Sequence, residues 1–215
     1  MENSWLRIKA FISSLVVLLP LLGLGQTDLG LWTGISIEKE LVKNFELGYT
    51  SMLRLNNNLT SYSRWLNELG FTYKVNKYYR VETSYRLTLK ENSLLGHRIS
   101  INQTVRYKIA DFTLAYRLSF QSNFAKLEAN DYNLRNKLDV EYRINKHYSP
   151  FFSGEVYYNI NYKTHAFNNF RLAAGLEYNF NKHHRLKPSL IYNQEFNVAA
   201  PESEIIFSLG YKYSF

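Results

Sequence analysis

The sequence predicts an all-β protein: a transmembrane, antiparallel up-and-down β-barrel of about 10–12 strands behind an N-terminal signal peptide. Three observations predict it. From about residue 29 to the end, large apolar residues recur at every second position with few breaks. Sorted by parity, one series is uncharged and the other carries the Lys, Arg, Asp and Glu. The connections between alternating segments are short and long in turn, as in barrels with tight turns on one side of a membrane and loops on the other.

The elements follow in chain order. Met1–Gly25 opens with Arg7 and Lys9, continues as the apolar run Ala10–Leu24, and closes on Gly-Leu-Gly. That is the pattern of a secretory signal peptide cleaved after Gly25. A membrane anchor is the competing reading, but the run is short for a spanning helix of about 20 residues and Pro20 interrupts it. No Cys follows it, which excludes a bacterial lipoprotein, and the chain has no Cys at all. No disulfide framework, thiolate metal site or Cys nucleophile is therefore available. The remainder, Gln26–Phe215, is expected to form one barrel domain.

Alternation predicts strands at roughly 29–38, 44–54, 63–75, 78–89, 97–109, 112–121, 133–144, 151–160, 169–180, 185–196 and 204–215. Many exceed the usual five or six residues of a soluble strand and suit a tilted membrane crossing of about 9–11 residues plus its ends. Short turns fall at residues 75–78, 109–111, 144–147 and 180–183, three of them with an Asn-Lys pair. Longer polar loops are expected near 56–62, 90–96, 122–132, 161–168 and 197–203. Eleven segments conflict with the even strand number normal for single-chain bacterial barrels. Residues 26–40 could stay outside a ten-stranded barrel as a plug. A strand could lie unrecognised between Phe124 and Tyr132. Or an odd barrel could close through one parallel pair. Pro188, inside a strand, removes a ladder donor and suggests a bulge.

The uncharged face is assigned to lipid. A soluble barrel or sandwich would turn it inward, but the many Leu, Ile, Val, Phe and Tyr side chains could not share so small a lumen. The small residues Gly70, Ala115, Ala173, Gly175 and Gly210 lie on the charged face, which marks that face as the crowded inside. Lys or Arg facing the bilayer midplane costs about 2–4 kcal/mol, which explains the missing charges. The 18 Tyr and 14 Phe residues suit aromatic girdles.

The formal net charge is +8. The side chains expected to line the lumen are Arg98, Arg106, Lys108, Arg135, Lys137, Asp139, Glu141, Arg143, Glu155, Arg171 and Glu177. They form either a closed polar core or a narrow pore or small-solute, anion-binding cavity, since rings of Arg and Lys set anion preference. The alternative from another class is a membrane-embedded lipid-modifying enzyme of acyl hydrolase or transferase type, which would need Ser, His and an acid near the lipid edge. His97 and His165 lie at the loop end without such partners, and HExxH, GxSxG and GxxxxGK[ST] are absent from the sequence. No catalytic, metal-ligating or cofactor-binding residues are assigned, and no cofactor is expected. The expected partners are outer-membrane lipids and, through the final strand ending at Phe215, the barrel-assembly machinery. Nucleic acid is not expected, and the protein is taken as a monomer in a bacterial outer membrane.

The run Leu31-Trp32-Thr33-Gly34-Ile35-Ser36-Ile37-Glu38-Lys39-Glu40-Leu41, the Val-Lys-Asn turn after it, the later Asn-Lys-aromatic turns and the terminal Gly-Tyr-Lys-Tyr-Ser-Phe resemble the family known as domain of unknown function 2490. That family comprises outer-membrane barrels common in Bacteroidetes-type bacteria. The resemblance covers essentially all of 26–215 and implies a β-barrel of unassigned activity, with no catalytic residues to transfer.

Overall fold

The computed structural model describes residues 27–91, 95–125, 130–160 and 165–215. The predicted signal peptide lies outside the described residues. Eleven strands and no helix occur among them: β1 Thr27–Val42, β2 Phe45–Asn56, β3 Ser61–Lys74, β4 Tyr79–Lys90, β5 Leu95–Ile109, β6 Phe112–Ala125, β7 Asp131–Tyr142, β8 Tyr148–Ile160, β9 His165–Asn179, β10 His184–Glu195 and β11 Ser203–Ser214. Each predicted strand has its counterpart. Most run further than expected into the polar loops. β6 continues through Ser122–Ala125, which the sequence reading gave to a loop, because alternation persists there between inward Asn123 and outward Phe124.

The strands close into one barrel in sequence order, each antiparallel to the next. The circle is completed between β1 and β11, which pair in parallel from Thr27↔Ser203 to Glu38↔Ser214. This decides among the three ways of accommodating eleven strands. Residues 27–42 are a wall strand and not a plug. The β6–β7 connection, residues 126–130, is too short for a twelfth strand. The odd number is real, and one parallel seam is its geometric consequence, because first and last strands of an odd meander run the same way.

Register then fixes the faces. Along the outside stand Ile101, Leu138 and Phe207, about half exposed at 48%, 52% and 52%, with many other large apolar residues. Only Leu66, Phe151, Ile191 and Ile206 are buried apolar side chains among the described residues, whereas eleven polar or charged ones are buried. A water-soluble protein has the opposite arrangement. Rings pair around the turn end: Phe45 with Tyr73 at 4.8 Å, Phe112 with Tyr142 at 4.8 Å, Tyr148 with Tyr178 at 4.9 Å. Tyr158 with Phe167 at 5.0 Å does the same at the loop end. Such girdles sit at membrane–water interfaces.

The Asn-Lys turns are built alike. In each, the Asn side-chain oxygen accepts the N–H groups two and three residues on: Asn76 from Tyr78 and Tyr79, Asn145 from His147 and Tyr148, and Asn181 from His183 and His184, all at 2.8–2.9 Å. Asn competes well for such turns because its short amide mimics a backbone carbonyl. Tighter turns place Asn44 (φ 69°) and Ala110 (φ 51°) in the left-handed region.

Pro188 does not form the expected bulge. Pairing of β10 with β9 lapses at Lys187 and Pro188 but resumes in the same register at Ser189↔Gly175. Pro188 still aligns with Leu209 of β11. The strand tolerates the missing donor by opening the ladder on one side. Bulges instead occur at Glu40/Val42, Arg54/Leu55 and Tyr157/Tyr158.

Candidate functional site

Inward positions of the loop-side half enclose a chamber of about 580 Å³. Seven arginines line it: Arg54 of β2, Arg64 of β3, Arg86 of β4, Arg98 of β5, Arg117 of β6, Arg135 of β7 and Arg171 of β9. Lys90 joins them, and Asp131 is the lone carboxylate in the lining. A side pocket shares Trp32, Arg54, Arg64 and Arg171 with the chamber and adds Glu195, Glu202 and Glu204. Asn56 and Glu202 continue into a mouth that also has Asp28 and Glu91. Charge is thus uneven across the lumen: the chamber bases stand on β2–β7 and β9, and the side pocket adds acids at the β10–β11 end.

The strands that hold these arginines place like charges directly opposite one another. Arg54 is the cross-strand partner of Arg64, and Arg64 of Lys90. Arg86 faces Arg98, and Arg117 faces Lys137. Like charges at such positions destabilise a sheet.

Part of the charge is compensated. Glu155, whose side chain is only 2% exposed, pairs with Arg135 and lies 3.3 Å from Arg171. Tyr157 donates to Glu155 at 2.7 Å and accepts from Arg171 at 2.8 Å. Glu68 pairs with Arg86. Arg98 donates to Asn123 at 2.5 Å. Others have no carboxylate in ion-pair contact among the described residues, although Glu195, Glu202 and Glu204 share the side pocket with Arg54 and Arg64, and the charge of Glu82 acts on Arg117. The Nε groups of Arg54 and Arg117 are buried without a hydrogen-bond partner, and Arg64 donates only to Ser63, at 3.3 Å, among the interactions of the described residues. The Arg54 guanidinium lies 3.6 Å from the centre of the Trp32 ring, and Arg171 lies 4.9 Å from it. Trp32 is therefore a cation–π platform supplied by β1.

Toward the turn side the lumen fills. Thr104, Thr113, Ser149 and Phe151 point inward and are buried. Lys187 lies over the Phe151 ring at 4.0 Å. Phe151 fits because Gly175 faces it; a Cβ there would come within 2.8 Å of the ring and 2.4 Å of the Pro188 carbonyl. Ile206, Ile191 and Leu66 add apolar packing to the lumen wall nearer the loop end, where Leu66 lines the chamber.

The predicted lining residues divide between these regions. Arg98, Arg135, Glu155 and Arg171 meet in or against the chamber. Lys137 and Asp139 pair at 2.7 Å, Arg106 and Glu141 at 3.5 Å, and Arg185 with Glu177 at 3.2 Å. Together with Lys108 and Arg143 these lie on the turn side, away from the chamber. The expected lining did not include Arg54 of β2 or Trp32 of β1, because alternation does not show that these two strands face the same chamber as the later ones. It also missed the inward apolar residues, since Ile191, Ile206, Phe151 and Leu66 interrupt an otherwise polar series. His97 bonds to the Tyr85 hydroxyl at 2.6 Å and stacks on Phe124 at 5.3 Å, and both His97 and Phe124 border the chamber.

An apolar exterior around a charged interior, closed by backbone pairing with no free sheet edge, defines an integral membrane β-barrel. The chain belongs to the family described as "Protein of unknown function (DUF2490)", whose model matches residues 29–204. No curated protein matches it. Among solved structures, it resembles "Bacterial polysaccharide outer membrane secretin" at 11% identity and TM-score 0.56, over 77% of this chain and 63% of that one. The chain thus spans less than two thirds of that protein. It also resembles the β domain of the Bordetella autotransporter BrkA at 16% identity and TM-score 0.53, over 80% of this chain and 82% of that one. "KdgM porin" aligns at TM-score 0.47 and 17% identity, over 74% of this chain and 81% of that one. These likenesses concern the fold alone.

Proposed function

We propose that the protein is an integral barrel of a bacterial outer membrane that admits small anions from its loop side and holds them in the arginine chamber. The observation that carries this reading is the cluster of seven arginines around a 580 Å³ space of ligand size. Such a cluster raises the local concentration of anions and sets their preference over cations. The buried inward residues on the turn side favour a chamber over a wide pore. A narrow anion-selective pore is the second reading, favoured by the inward cations Arg106, Lys108 and Arg143 beyond that packing.

Phe215 ends the last wall strand at the turn end, where its ring meets Tyr213 at 4.8 Å. The final strand is the proposed contact for the barrel-assembly machinery, and the turns are proposed to face the periplasm with the chamber mouth outside. The remaining proposed partners are outer-membrane lipids, and the protein works as a monomer.

The test is titration of sulfate into the refolded protein by calorimetry at low ionic strength, with heat-modifiable gel migration as the check of folding. Saturable binding that weakens with added salt and is reduced by Arg64→Gln is expected. A folded barrel that takes up no sulfate at millimolar concentration would remove the chamber reading.

A further inference from the structure

We infer that the chamber is a site for a compact oxyanion bearing two or more negative charges, held by Arg54, Arg64 and Arg117 with Trp32 as backing. This rests on the chamber reading above and deepens it. The lumen supplies its own carboxylates where it needs them: Glu68 for Arg86, and Glu155 for both Arg135 and Arg171. Among the described residues Arg54 and Arg64 have no carboxylate in ion-pair contact, only Glu195, Glu202 and Glu204 across the side pocket, although they stand directly opposite each other and next to Lys90 in the ladder. Arg117 faces Lys137; the charge of Glu82 acts on it, but without an ion pair among the described residues. Like-charge neighbours and two buried guanidinium Nε groups without partners are both unfavourable in a dielectric lower than water. A bound anion would relieve both at once.

The guanidinium fork matches the geometry of carboxylate and phosphate oxygens, offering two parallel hydrogen bonds to one group. One monovalent anion satisfies one fork. Three forks on β2, β3 and β6, lining one chamber, require more than one anionic group. Trp32 holds Arg54 by its ring face, which fixes the guanidinium plane without using its donors. The strand that closes the barrel in parallel therefore also orients the binding group. The acids of the side pocket, Glu195, Glu202 and Glu204, lie on one flank and would repel an anion from there toward the arginines.

The experiment is calorimetric titration of the refolded full chain, in detergent at fixed ionic strength, with four probes: pyrophosphate, citrate, inorganic phosphate and acetate. Tryptophan fluorescence is followed in parallel. Pyrophosphate or citrate should bind at least about tenfold more tightly than acetate, and the tighter of the two names phosphate or carboxylate as the recognised group. Arg54→Gln and Arg117→Gln should each weaken that binding by about tenfold to a hundredfold. Arg64→Lys keeps the charge and spares folding but removes the fork, and should weaken it as well. Lys146→Gln, in a turn at the opposite end, should leave it unchanged. The fluorescence response should vanish in Trp32→Phe. Equal affinity for acetate and the multivalent probes, lost together in Arg64→Gln, would overturn this inference and leave the anion chamber standing. Absence of binding by every probe to a folded barrel would overturn both.

Discussion

Single side chains in this lumen carry unusual electrostatic weight because they are sealed between a sheet and each other. Glu155 is the clearest case. It is the shared counter-charge of Arg135 and Arg171 and is almost entirely removed from water. Removing one member of a buried ion pair strands the other, at about 3–5 kcal/mol. Glu155→Gln should therefore lower stability by about that amount, measured by urea unfolding in liposomes. It should also tighten anion binding, because two more guanidiniums lose their partner. An unchanged unfolding midpoint would mean that water reaches the pair. Asp28 does a different job at the rim. Its two carboxylate oxygens accept the Asn57 and Asn58 N–H groups, each at 2.8 Å, where three consecutive residues, Asn57, Asn58 and Leu59, take positive φ. A β2–β3 turn of this shape needs such support, since Leu has no intrinsic preference for that region. Asp28→Ala should raise amide exchange at Asn57 and Asn58 by an order of magnitude or more while leaving strand amides protected.

At the level of elements, the feature to test is the parallel seam. Nothing in the alternation of residues 29–38 tells which neighbour they choose, because hydrophobic period reports a strand and its faces but not its partner. That is why plug, missed strand and parallel closure all stayed open in the sequence. The chain contains no Cys, so an engineered pair is unambiguous. Thr33 and Leu209 are direct partners across the seam. Thr33→Cys with Leu209→Cys should cross-link on oxidation and slow the unfolded chain's gel migration differently from the reduced form. Failure of this pair to cross-link in the folded protein would place β1 elsewhere. Packing inside the wall makes a second prediction. A Cβ on Gly175 would overlap the Pro188 carbonyl, Ser189 and Phe151, whereas one on Gly154 would make ordinary contact with Leu172 at 3.8 Å. Gly175→Ala should abolish or strongly reduce heat-modifiable folded protein; Gly154→Ala should fold as the parent does. The positions of the eleven strands and the three Asn turns were legible in the sequence, because period and turn chemistry are local properties. The opened ladder at Pro188 was not, because it depends on how a neighbouring strand accommodates the ring.

Over the whole molecule, the parity sort predicted which face meets lipid, and the exposed Ile101, Leu138 and Phe207 stand where it put them. The charged interior was legible for the same reason. Its division was not. Charged residues at equivalent alternation look alike in sequence, yet Lys137, Arg106 and Arg185 on the turn side form ion pairs while Arg54, Arg64 and Arg117 form none among the described residues. Only the closed circle, with its register and seam, shows which cations meet. The interior is proposed to be an anion chamber above a packed turn-side lumen. Recording from the refolded protein in planar bilayers tests it most directly. A packed lumen lined by arginines should give small or absent steady currents, and a reversal potential favouring anions in any current that is seen. Large, stable, cation-selective steps would contradict both the packed lumen and the role assigned to its arginines.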